Sequence, residues 1–151
     1  MKKKCVIVLV CLVTIILLSC ATTPSGNASS DQKAIEKVMA NFITALTTQD
    51  INLLMSTYWN DAEMELNFGG NRTLLSGELE IRNLQNGGFE SADGPQVLSV
   101  SVIERLYGDE IAEYTAEAEG SDFLMINHLR FQKRDGEWKI IHQFIEPAPA
   151  E

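Results

Sequence analysis

"RFQKRDGEWKIIHQF", residues 130–144, is the stretch whose reading decides the fold. Asp135-Gly136 is a pair that favours a two-residue hairpin turn, because both central positions of such a turn need positive φ. The flanks carry Phe131, Trp138, Ile140, Ile141 and Phe144, residues that suit strands. A two-residue turn pairs Arg134 with Glu137 and sets Leu129 opposite His142. Side chains alternate between the two faces of a strand. Met125, Asn127, Leu129, Phe131, Trp138, Ile140, His142 and Phe144 are then expected on one face, with His128 and Arg130 on the other. A longer turn with a bulge at Gly136 would set His128 opposite His142 instead. It would also drag Arg130 and Gln132 onto the buried face, and an unpaired buried cation is costly. The first register is therefore expected.

Upstream of the hairpin the alternation continues. Gly120-Ser121-Asp122 turns into a strand over 123–133. Before it, Ala112, Tyr114, Ala116 and Ala118 face one way and Glu113, Glu117 and Glu119 the other, and Leu98, Val100 and Val102 alternate with serines. Nearer the amino terminus the period changes to three and four. Ile35, Val38, Met39, Phe42, Ile43 and Leu46 mark a helix that Ser29 or Ser30 can cap. Asp50 is placed to cap a second, shorter helix running through Leu53, Leu54 and Tyr58. A strand is predicted over 62–68, a turn at Gly69-Gly70-Asn71, and a third helix over 76–85 that ends at Asn86-Gly87-Gly88. Three helices followed by an antiparallel meander predict an α+β domain over 31–146, with helices on one face of a sheet and a disordered tail over 147–151.

The first twenty residues do not fit that domain. Lys2, Lys3 and Lys4 precede a largely apolar run from Val6 to Leu18. The run is shorter than the roughly 20 residues a spanning helix needs and has the form of an export signal. Leu17-Leu18-Ser19-Cys20 resembles a bacterial lipobox. That resemblance implies a cleaved signal over 1–19, an acylated Cys20, a flexible tether over 20–30, and a lipid-anchored position in the bacterial cell envelope, facing the periplasm or exterior. All three cysteines, Cys5, Cys11 and Cys20, lie in this segment, so the domain has neither a disulfide nor a thiolate metal ligand. Without the three leading lysines, nine basic residues stand against 21 acidic ones, a formal charge of −12. That balance argues against nucleic acid, which is bound by neutralising phosphates, and against docking on anionic lipid headgroups.

Three stretches in order carry a family resemblance: "FITALTTQDINLLMSTYWNDAEM" (42–64), "LLSGELEIRNL" (74–84) and "FQKRDGEWKIIHQF" (131–144). Together they resemble the nuclear transport factor 2-like superfamily, above all its SnoaL-like members. The resemblance implies a cone-shaped α+β fold, a strongly curved sheet wrapped around three helices and a pocket, with possible dimerisation through the sheet. It also implies where ketosteroid-isomerase-type chemistry would sit. The position of the enolate-stabilising tyrosine is Phe42 and that of the general base is Leu66, so neither role can be filled.

His142 is where many SnoaL-like members carry a pocket histidine. An imidazole can change charge near neutral pH, which suits acid–base work, and it can equally line a pocket or sit satisfied in a core. Tyr58 and Trp59 are expected at the pocket mouth, with Tyr114, Asn127, Leu129, Trp138 and Phe144 on the walls. Asp61, after a helix end, is a turn former or a weak catalytic candidate. No HxH or HExxH spacing occurs, and no metal or cofactor is expected. The leading expectation is an envelope lipoprotein that binds a small apolar or amphipathic molecule. The alternatives are an enzyme of lyase, isomerase or hydrolase type with His142 as acid or base, and a structural partner in envelope assembly.

Overall fold

The computed structural model describes residues 26–91 and 97–149, and the signal, Cys20 and most of the tether lie outside them. The first helix, α1 (Gly26–Thr48), buries Ile35, Met39, Phe42 and Leu46 of the predicted stripe together with Ala45, while Val38 and Ile43 are partly buried. It starts at Gly26 rather than at Ser29 or Ser30, so the last residues assigned to the tether are helical. Asp50 caps α2 (Ile51–Ser56) by accepting from the Leu53 N–H at 2.9 Å. The helix stops there, because Thr57 bonds back to the Leu54 carbonyl and Tyr58 already belongs to the first strand. Tyr58 and Trp59 are thus strand residues, not the end of a helix.

The strands are β1 (Tyr58–Phe68), β2 (Asn71–Ser76), β3 (Val97–Tyr107), β4 (Ile111–Gly120), β5 (Leu124–Arg134) and β6 (Glu137–Pro147), with α3 (Gly77–Glu90) between β2 and β3. β2 was not expected. Its mostly exposed residues "NRTLLS" show no two-residue period of burial, so only the pairing with β1 defines it. α3 runs through Gly87 and Gly88, where the sequence suggested a stop. Pro147 belongs to β6 and the Ala148 N–H bonds to the Leu124 carbonyl, which shortens the expected tail.

The sheet order is β2-β1-β6-β5-β4-β3, antiparallel except where β1 and β6 run parallel. The helices cover one face. Between them lies a core that includes Phe42, Leu54, Tyr58, Met64, Ile81, Tyr114, Phe131, Trp138 and Ile140. The amino-terminal part of α1 is tied to the hairpin by Lys133, whose ammonium sits 2.8 Å from both Asp31 oxygens. Lys133 first, and the nearby Trp138 indole second, hold the Asp31 carboxyl below its usual range. That indole N–H nonetheless makes no hydrogen bond of regular geometry.

The hairpin has the two-residue turn expected of Asp135-Gly136. Both residues have positive φ, 50° and 84°, and Arg134 pairs with Glu137. Lys133 then pairs with Trp138 and Phe131 with Ile140, after which the register shifts. Arg130 lies opposite His142, Leu129 opposite Gln143, and His128 opposite Phe144. Ile141 is the extra residue of a β-bulge. A bulge of one residue inverts the facing of everything beyond it. Trp138 and Ile140 point into the core, but His142 and Phe144 leave that face and Gln143 takes the buried place. The expected pairing of Leu129 with His142, and the single face shared by Trp138, Ile140, His142 and Phe144, are corrected accordingly. β1 is irregular at the same level, where the six residues Tyr58 to Glu63 run beside the three from Ile140 to His142. Two neighbouring irregularities of this kind bend and twist the sheet.

Candidate functional site

The helix-covered side of the sheet is filled. Tyr58 is 2% exposed and its hydroxyl donates to Gln143 Oε1, while Gln143 Nε2 donates to Asn127 Oδ1 at 2.7 Å. The three side chains form a closed hydrogen-bonded chain inside the core, each satisfying the next. Burial pushes the Tyr58 hydroxyl well above the usual tyrosine range, so it stays a neutral donor. Tyr114 is equally buried. Its hydroxyl lies 2.6 Å from that of Tyr107, its ring meets Phe131 edge-on at 5.1 Å, and the Arg105 guanidinium sits 5.6 Å from its centroid. Burial first, and the Tyr107 contact second, raise its pKa beyond the ordinary value. Phe42 and Leu66 occupy the positions that the isomerase resemblance singles out, and Phe42 is a core residue.

The opposite face carries an open groove of about 460 Å³, within the roughly 300–1,000 Å³ typical of small-molecule sites. Its walls come from four strands. β3 gives Glu104 and Leu106, β4 gives Glu113 to Thr115, β5 gives His128 to Arg130, and β6 gives His142 and Phe144. The bulge at Ile141 is what brings the last two there.

Within the groove His128 and Phe144 stack at 5.7 Å between centroids and 25° between planes. His128 is held from both ends, with Thr115 Oγ1 at 3.3 Å from Nδ1 and Glu146 Oε1 at 3.5 Å from Nε2. Arg130 is engaged by Glu113 at 2.8 Å and 2.9 Å through two of its nitrogens. His142 lies across from Arg130 on β5 and Glu63 on β1. Its imidazole accepts from or donates to no carboxylate among the described residues, so no second group orients it as an acid or base.

The residues expected to share one pocket are thus divided between two faces. Tyr58, Asn127 and Trp138 are packed in the core. Tyr114 and Leu129, though buried, border the groove together with His142 and Phe144. Trp59 is half-buried; its Nε1 donates to the Gln132 carbonyl at 3.0 Å, and Arg134 and Lys139 lie over its ring. Asp61 is exposed and paired with Arg134 at 2.7 Å, which holds its carboxyl below the usual range. Gln143, the hub of the buried chain, and the groove residues Thr115, Glu104 and Leu106 were not singled out from sequence. The adjacent Ile140-Ile141 pair was the available clue, since two neighbouring apolar residues cannot both obey strict alternation.

Among the described residues no group of three or more histidines, cysteines, aspartates or glutamates could hold a metal ion. No helix among them is long and apolar enough to cross a membrane.

Comparison with known proteins supports the fold. Residues 30–144 match a protein family described as "Putative lumazine-binding". Among solved structures, a nuclear transport factor 2-like protein of unknown function from Methylobacillus flagellatus aligns with a TM-score of 0.68 at 16% identity, over 80% of this chain and 94% of that one. One from Shewanella baltica gives 0.67 at 14% identity over 81% and 97%. One from Silicibacter pomeroyi gives 0.66 at 14% identity over 80% and 98%. At such identities the shared property is the fold. No curated protein matches the chain.

Proposed function

The chain belongs to the family described as "Putative lumazine-binding", and from that premise we propose that it binds a small, flat, amphipathic ring molecule in the outer-face groove, without transforming it. The observation that carries the reading is the bulge at Ile141. It lifts Phe144 and His142 out of the core side and sets them beside His128 in a groove of about 460 Å³. Phe144 offers a surface for stacking, and His142 and Thr115 offer directional hydrogen bonds. The family description supports a bicyclic heteroaromatic ligand such as lumazine. The absence of an orienting partner for His142, and the salt-bridged state of Asp61, favour binding over acid–base catalysis.

The lipobox-like Leu17-Leu18-Ser19-Cys20 adds the cellular setting. The domain would be held at a membrane of the bacterial envelope by an acylated Cys20, firmly so if more than one chain is attached, since each buried methylene contributes about 0.8 kcal/mol. A native mass spectrum of the protein purified from its own envelope tests the reading. Excess mass on the folded chain, lost in Phe144→Ala, is expected. A clean protein mass, together with no binding of added lumazine, would contradict it.

A further inference from the structure

The groove lies in a strongly acidic field. By strand alternation the outer face of the sheet carries Glu63 and Glu65 on β1, Glu104 on β3, Glu113, Glu117 and Glu119 on β4, and Glu146 on β6. Three of these have a partner: Arg72 for Glu65 at 3.1 Å, Arg130 for Glu113, and His128 for Glu146. Glu63, Glu104, Glu117 and Glu119 have no cationic partner among the described residues. At the centre of this field is the aromatic wall of Phe144 and His128, half-buried and open to the groove.

We infer that the groove selects a positively charged ring molecule, a flat aromatic cation, over neutral or anionic rings of the same shape. The inference rests on the groove being the binding site, as proposed above. The cavity and its aromatic wall make the site, and the carboxylates set the sign of what enters it. The ring of Phe144 attracts a cation through its negative face. The unpaired carboxylates raise the local concentration of cations, because a surface of one sign focuses its field into a cleft. An anionic ring would find only Arg130, already engaged by Glu113 on two nitrogens. A second copy of the chain seated face to face would set four uncompensated carboxylates against four more.

Three acridines that differ in charge and little in shape test this at pH 8: acridine (neutral), N-methylacridinium (cationic) and acridine-9-carboxylate (anionic). Affinities for the purified chain are measured by fluorescence in low and high salt. N-methylacridinium is expected to bind about tenfold more tightly than acridine at low ionic strength, with the carboxylate weakest. The gap should narrow as salt screens the field. Glu104→Gln should weaken the cation more than it weakens acridine, and Phe144→Ala should weaken both. If acridine binds in a Phe144-dependent way but the charged analogues bind equally, or the carboxylate binds best, the charge inference is overturned while the groove remains a site. If no acridine binds, both readings are overturned.

Discussion

The two faces of one sheet differ more than any other pair of regions in this molecule. The inner face is closed: Tyr58, Gln143 and Asn127 satisfy one another, and Phe131, Ile140 and Ala116 are fully buried beside them. The outer face is open and charged, with a groove where His128, His142 and Phe144 meet solvent. A single extra residue, Ile141, decides which side chains of β6 belong to each. Polarity alone therefore does not tell a core residue from a site residue here. A glutamine is sealed in the interior, and a phenylalanine two chemical classes away from it lines an open groove.

Substitutions on the two faces should separate cleanly. The largest effect is expected from Phe131→Ala, which empties a fully buried place; a loss of about 3–5 kcal/mol in urea unfolding is predicted. Gln143→Leu comes next. It strands the Tyr58 hydroxyl and the Asn127 amide in the core, at about 2–3 kcal/mol. The sharper form of that prediction is the triple change Tyr58→Phe, Asn127→Leu and Gln143→Leu, which removes the stranded partners and should recover most of the loss. If the triple variant is no better than the single one, the three groups do not act as a closed chain.

On the outer face, His142→Ala should alter stability by no more than about 0.5 kcal/mol while weakening ligand binding. A loss of 2 kcal/mol or more, on the order of a buried hydrogen-bond defect, would place His142 on the inner face and erase the distinction.

The smallest effect concerns acid. Asp31 and Asp61 are both held below the usual aspartate range, chiefly by hydrogen bonds from Lys133 and Arg134. A carboxyl whose pKa is depressed in the folded state contributes stability above its unfolded value of about 3.9, and that contribution is lost as pH falls through the folded value. Lys133→Ala and Arg134→Ala should each remove a small contribution at neutral pH and so flatten the acid limb of the stability profile below about pH 4. An unchanged acid limb would show that these ion pairs contribute nothing beyond solvent contacts.

Much of the architecture could be read from local rules. The α1 stripe, the Asp50 cap and the Asp135-Gly136 turn each follow from residues close in sequence. β2 could not be read, because its burial shows no period and its partner β1 defines it. The bulge was hidden for a related reason. Strict alternation from Trp138 gave a persuasive aromatic face ending in His142 and Phe144, and nothing local in "WKIIHQF" shows that Tyr58, 85 residues away, requires a buried hydrogen-bond partner. His142 and Phe144 were therefore assigned to the inner face, and Gln143 was passed over because it is polar.

Which face holds the site depends on where His142 points, and the chain has two histidines, His128 and His142. Two imidazole Cε1–H signals are therefore the whole of that region of the proton spectrum. The direct measurement is their broadening by a soluble paramagnetic agent. Both signals should broaden to a similar extent, since both rings border the groove, and both should be protected by ligand. A sharp, unaffected His142 signal beside a broadened His128 signal would return His142 to the core and contradict the bulge, the groove and the function built on them.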